Sequence, residues 1–347
     1  VNRTLGLICL LAAATSVLSA QSGPAPSREA TPVPAPDVRD SALARVQVER
    51  ITRVLLDNDL FALRDTGAAT DFDYTHGMGV EMHWASAPAS IRKRLRNSPG
   101  CAQAADRTSG CAMFTLTVRQ AIYTPASNRS VPVPGQRPHA GYLGVGARVS
   151  HATATRLRSA HVELGTTGKL ALAEPLQQLI HALTGTAREL GWRNQIGTRP
   201  TLLLRYDDAV VRDARVGRAF VRSKPHITLQ LGNVRTSASV GAEVQLSLNR
   251  ARFWTPYDGG AALPLGPYIV GGVQQDYVVR DVFVDGHFGD ESITSVRLPN
   301  VSTTLVGFGW RFPGGTSEYR YVRRGKEYEA QTAVHSHGAF AFTFYRQ

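Results

Sequence analysis

Val240-Gly241-Ala242-Glu243-Val244-Gln245-Leu246-Ser247-Leu248-Asn249 is the stretch on which the fold turns. Successive side chains of an extended chain point to opposite faces. Val240, Ala242, Val244, Leu246 and Leu248 therefore share one face, and Gly241, Glu243, Gln245, Ser247 and Asn249 the other. The same period recurs at Leu143, Val145, Ala147 and Val149, set against Gly144, Gly146, Arg148 and Ser150. Near the end, Val306, Phe308, Trp310 and Phe312 oppose Gly307, Gly309 and Arg311. Such runs are about twice the ~5–6 residues of a soluble strand and suit a tilted strand crossing a membrane. A soluble β-sandwich would need shorter strands and a more continuous core. Here one face is apolar and the other polar, as expected with lipid outside and a polar lumen within.

Twelve such segments can be placed, near residues 50–58, 73–85, 112–122, 138–150, 155–165, 197–209, 216–232, 236–249, 266–280, 300–312, 317–329 and 337–346. An even number of antiparallel strands closes with both ends on one side. The last segment carries Phe340, Phe342 and Phe344, an aromatic ending common in such barrels, although the final residue is Gln347. The expected fold is all-β: a twelve-stranded antiparallel transmembrane β-barrel over residues 46–347 with one short loop helix.

Composition agrees with export. Residues 1–21 read as a secretory signal, with Arg3, an apolar run from Leu5 to Leu18, and small Ser19 and Ala20. Cys9 lies inside the apolar run, not at its end, so no lipoprotein anchor is expected. Residues 22–45 form a leader rich in Pro, Ala and Ser. Beyond the signal no apolar run approaches the ~20 residues of a membrane helix. The hydrophobic share of 43% excludes a disordered chain. The net charge of +12 suits anionic lipid or a phosphorylated glycolipid, and export argues against nucleic acid. Cys101 and Cys111 lie close together in a polar stretch of an exported chain, which most simply gives one disulfide.

One segment breaks the alternation. Leu176, Leu179, Ile180 and Leu183 recur at helical spacing between Glu174 and Gly185, with Pro175 in the first turn. Gln177, His181 and Thr184 form the opposite, polar stripe. A neutral histidine there can act as a general base, though a lone histidine is more often a surface or packing residue. On this reading truncating His181 opens no core cavity. Asp57-Asn58-Asp59, Thr70-Asp71 and Asp73-Tyr74-Thr75-His76 gather hard oxygen donors suited to Ca²⁺, although their spacing also suits a solvated polar turn. No G-x-S-x-G elbow occurs, so the common serine-hydrolase arrangement is not indicated.

Five short motifs resemble one family in order. Asn58-Asp59-Leu60-Phe61 looks like the N-D-x-F of the LpxR-type lipid A 3′-O-deacylases, and Tyr74-Thr75-His76-Gly77 like their Y-T-x-G. Gln120-Ala121-Ile122-Tyr123-Thr124-Pro125 resembles Q-x-x-Y-x-P, and Arg137-Pro138-His139-Ala140-Gly141-Tyr142 resembles R-P-Y-A-G-W. Gln177 to His181, then Gly191-Trp192-Arg193-Asn194-Gln195, is similar to Q-x-x-x-H followed by G-W-x-x-Q. The resemblance implies an outer-membrane barrel, with its site between the barrel wall and a loop helix, that removes the 3′-linked acyloxyacyl chain of lipid A with Ca²⁺. Carried over, His181 is the general base, and Asn58, Asp59 and Thr75 build the polar part of the site. Asn58 and Asp59 are the metal ligands it implies. Gln177, Arg129 and Arg137 are candidates for holding the substrate, the two arginines through lipid A phosphates. The family can carry a Glu six residues past the histidine; here that position is Ala187, with Glu189 or Glu174 as replacements. The expected partners are lipopolysaccharide and outer-membrane lipids, and the expected state is a monomer. The competing readings are an outer-membrane phospholipase with a Ser or Thr nucleophile, and a non-enzymatic barrel or pore.

Overall fold

A computed structural model describes residues 50–62, 73–95, 98–101, 110–153, 155–248, 266–290, 293–312 and 314–346. The signal and leader segments lie outside the described residues. Thirteen strand segments follow one another: β1 (Arg50–Asn58), β2 (Asp73–Trp84), β3 (Cys111–Thr124), β4 (Ala140–Ala152), β5 (Arg156–Thr167), β6 (Pro200–Val210), β7 (Arg212–Val216), β8 (Ala219–Gly232), β9 (Arg235–Ser247), β10 (Gly266–Asp281), β11 (Asn300–Phe312), β12 (Gly315–Arg324) and β13 (His335–Arg346). β6 and β7 are one stave interrupted at Val211, since both pair with β8. Each strand is antiparallel to its neighbours, and β1 pairs with β13 from Arg50↔Arg346 to Asn58↔Gly338. The result is a closed twelve-stranded barrel without a free edge. Closure satisfies every ladder in a solvent that offers no hydrogen bonds.

The expected strands are all present, with small shifts at their ends. The segment expected to run to residue 329 stops at Arg324, because Glu327 and Tyr328 turn into the barrel and are buried there. The segment expected from residue 197 starts at Pro200, which has no N–H for a ladder and so sits first in its strand.

Alternation sorts the wall into two faces. Val80, Val118, Val145, Leu164 and Leu202 are paired directly across β2 to β6 and are exposed, forming one row of the lipid-facing belt. The inner face is polar and ion-paired. Glu81 meets Arg53 at 3.6 Å and Arg148 at 3.1 Å, and Glu243 meets Lys224 at 3.2 Å and Arg320 at 3.3 Å. A cavity of about 460 Å³ remains between these groups.

Both ends of the barrel chain, Arg50 and Arg346, lie at one rim, the terminal rim. Cys101 and Cys111 are joined by a disulfide at that rim, with Cα atoms 4.8 Å apart, and pack with Ile51, Ala85 and Met113. Alkylating the unfolded, unreduced protein is expected to leave both cysteines unmodified in peptide maps. Modification of either one would contradict the bond.

Candidate active site

The opposite rim carries the connections that hold the sequence motifs. Met78 and Val80 are exposed on the outer face of β2, so His76, two residues further, shares that face. Asn58 is directly opposite His76 and lies on the same face. On β3, Val118 is exposed outward, which places Gln120, Ile122 and Thr124 outward as well. An irregularity between Tyr74 and His76 lets Thr75 turn the same way, and its hydroxyl lies 2.6 Å from that of Thr124. The polar residues of three motifs thus meet on the outside of the barrel, just above the lipid-facing row.

The loop helix Ala173–Thr184 packs on the part of this surface formed by β3 and β4. Gly141, opposite Ile122, makes the approach possible: a Cβ there would lie 2.5 Å from the Cβ of Ala173. Gln120 donates from Nε2 to the Ala171 carbonyl at 2.5 Å, and Ile122, Ala173 and Trp192 form a small core with Leu176 against it. Ala173, Gln177 and His181 are buried, whereas Leu179 and Leu183 are exposed. Gln177 and His181 of the polar stripe are therefore packed, while Thr184 is exposed and Leu176 and Ile180 are half-buried. This corrects the expectation that His181 lies clear of packed structure, since a helix lying on a wall surrounded by lipid need not hide its leucines.

His181 is 4% exposed, and its Nδ1 is 2.6 Å from the Ala187 carbonyl oxygen. A carbonyl only accepts, so Nδ1 carries the proton and Nε2 the lone pair. Gln177 is fixed in the same way. Trp192 can only donate, and its Nε1 lies 2.8 Å from Gln177 Oε1, so the amide turns its Nε2 away as a buried donor with no partner among the described residues. On the wall, Asn58 Oδ1 accepts from the Leu60 amide at 2.7 Å, leaving its Nδ2 to face His76 Nδ1 at 3.3 Å. His76 is buried too, and its Nε2 has no hydrogen-bond partner among the described residues. His76 was not singled out from the sequence, because only its pairing with Asn58 marks it.

Other expected residues go elsewhere. Glu189 does not stand in for the missing Glu near His181; it pairs with His139 at 2.9 Å, and the rings of His139 and Trp192 are 5.4 Å apart. Gln178 adds a bond from Nε2 to the Glu189 carbonyl at 2.9 Å, so this buried pair locks the chain after the helix. Arg137 is corrected too. It is 2% exposed inside the barrel mouth, where Nη1 reaches Glu327 at 3.3 Å and Asp73 at 3.6 Å. Burial alone would lower its pKa, but Glu327 and Asp73 raise it, so the guanidinium stays charged. Arg129 is exposed. Asn128 and Ser130 bond to the backbone of Arg188 and the side chain of Arg193, which gathers Arg129, Arg188 and Arg193 at the surface.

The donors on the wall are tested against calcium by their chemistry. Asp59 is buried beside Asn58, and carboxylate, amide and hydroxyl oxygens are the hard donors calcium takes. Among the described residues no group of three His, Cys, Asp or Glu is placed to hold a metal ion. Asn58, Asp59 and Thr75 thus offer one carboxylate and neutral oxygens, the donor types calcium takes.

The barrel is similar to those of several solved structures. LpxR from Salmonella typhimurium is similar over 85% of this chain and 100% of its own, with a TM-score of 0.67 at 18% identity. The β-domain of the Bordetella autotransporter BrkA follows at a TM-score of 0.44 and 11% identity, covering 85% of this chain and 98% of its own. The translocator domain of NalP from Neisseria meningitidis has a TM-score of 0.41 and 10% identity, covering 89% and 92%. Comparison with curated protein sequences gave no match. The family model described as outer membrane protein LpxR matches residues 7–346, and the chain belongs to that outer-membrane family.

Proposed function

We propose that this protein is an outer-membrane lipid A deacylase that hydrolyses the ester of the 3′-linked acyloxyacyl chain. The observation that carries the reading is the inverted helix. It buries Gln177 and His181 on a helix packed against β3 and β4 on the outside of the barrel, where β3 carries part of the polar patch at the upper edge of the lipid-facing belt. A site placed there opens toward lipid and not toward the lumen. The inner ion pairs, Arg119–Glu163 at 2.9 Å among them, favour a filled barrel over the pore reading.

His181 Nε2 takes a proton from water as the water oxygen bonds to the ester carbonyl carbon. Gln177 Nε2 donates to the oxyanion that forms, and because Trp192 already fixes the amide, little reorganisation is needed. The tetrahedral intermediate collapses with cleavage of the bond to the sugar oxygen, which receives the proton held by His181. The products are a fatty acid and a free sugar hydroxyl. Asn58 and Asp59 would hold a calcium ion, which supplies Lewis acidity to the ester oxygen when bound. Arg129, with Arg188 and Arg193, takes the phosphate-binding part once assigned to Arg137.

Lipid A mass spectra from cells with and without the chain test the reading. The expected result is loss of the 3′-linked acyloxyacyl mass, weakened by EDTA and restored by excess Ca²⁺. Fatty acid release from phospholipids with lipid A intact would replace this reading with the phospholipase. Unchanged lipids with conductance in planar bilayers would replace it with the pore.

A further inference from the structure

We infer that the outer face of the 168–199 connection is a lipid-inserting ridge, seated among the acyl chains of the outer leaflet. Leu172 caps the N-terminus of the helix, and Leu179 and Leu183, four residues apart, lie about 40° from one another around a helix of 100° per residue. They are 56%, 56% and 78% exposed, while Gln177 and His181 on the opposite side are buried. Leu170 and Leu190, exposed as well, flank the stripe.

Three observations name the occupant. First, the ridge continues an existing lipid surface. The helix rests on Gly141, and the exposed belt residue Val145 lies four residues down β4, about 13 Å along the strand. Second, Leu172 adopts a left-handed conformation with φ of 55°, which a non-glycine residue takes only when its surroundings impose it. An exposed leucine in water does not reward that strain, whereas a leucine in acyl chains does. Third, the cations lie at the margins: Lys169, Arg188 and Arg193 are exposed beside the ridge and none lies within it. Apolar residues on one face with basic residues at the border form the pattern of a helix lying in a membrane interface. The inference needs the outer-membrane location only, so it stands or falls separately from ester hydrolysis.

The test uses spin labels in the refolded full chain with Cys9→Ser and the Cys101–Cys111 bond kept oxidised. Labels at Leu183→Cys and, independently, Leu179→Cys are compared in vesicles of phosphatidylcholine and phosphatidylglycerol. Val145→Cys is the lipid control, and Arg218→Cys, in an exposed hairpin turn, is the water control. Relaxation by oxygen is expected to exceed relaxation by a water-soluble nickel chelate several-fold at both ridge positions, as at Val145→Cys. Ratios like those of Arg218→Cys would overturn the inference. Exclusion of both reagents with spin–spin broadening would overturn it too, because a second copy of the chain would then be the occupant.

Discussion

His181→Ala lowers release of the 3′ acyl chain by about 10²–10⁴-fold, the usual loss on removing a general base. The barrel still folds, because His181 is buried on the loop helix, bonds to the Ala187 carbonyl in the loop after it, and contributes nothing to strand pairing. The truncation does leave a gap there, so His181→Gln is the better partner experiment, filling the space without a base at Nε2. Both variants should lose activity alike and both should retain heat-modifiable gel mobility. Gln177→Leu tests the oxyanion donor and is expected to cost about 10²–10³ in turnover. If His181→Gln retains near wild-type turnover, water activation by His181 is wrong and a Ser or Thr nucleophile becomes the leading alternative. Ala187→Glu leaves the carbonyl that orients His181 in place, since that contact belongs to the backbone. Any gain in calcium dependence in that variant therefore reports on the metal alone.

The barrel was legible because lipid enforces the alternation. Val240 to Leu248 can be read as one face only where the outer solvent is apolar and the lumen is wet. The helix was legible from Leu176, Leu179, Ile180 and Leu183, but its facing was not. Periodicity tells which residues share a side, and it does not tell which side meets the protein when the surroundings are lipid. The wall half of the site could be anticipated from the motif residues Asn58 and Thr75. His76 and the clamp of His139 with Glu189 could not, since their partners are 18 and 50 residues away in sequence. Arg137 shows the limit from the other direction. An arginine in a loop reads as exposed, and only the fold brings Asp73 and Glu327 around it.

Arg137→Ala destabilises the barrel by about 3–5 kcal/mol at neutral pH, the cost of leaving buried Asp73 without its arginine while Glu327 keeps Arg324. Arg137 sits over the Tyr123 ring at 4.9 Å and holds together residues far apart in the chain. Asp73 begins β2 at a φ of 65° and is gripped by Tyr328 at 3.0 Å and Gln331 at 2.7 Å from the loop before β13. Glu327 shows the electrostatics: burial alone would raise its pKa, but Arg324, Arg137 and Arg235 together hold it well below the usual carboxylate range. A carboxyl depressed in the folded state contributes its stability above the ordinary value of about 4.3 and loses it as pH falls through the lowered one. Without Arg137 that depression shrinks. The gap between variant and wild type should therefore be widest at neutral pH and should narrow in acid, where Glu327 takes up a proton in the variant first. Urea unfolding in detergent micelles at several pH values measures this. Arg137→Ala with Asp73→Asn should recover much of the loss by removing the carboxylate left without an arginine, and Arg137→Lys should fall between the two. A neutral-pH loss under about 1 kcal/mol, the scale of a surface pair, would show that the mouth of the barrel is wetter than its packing implies.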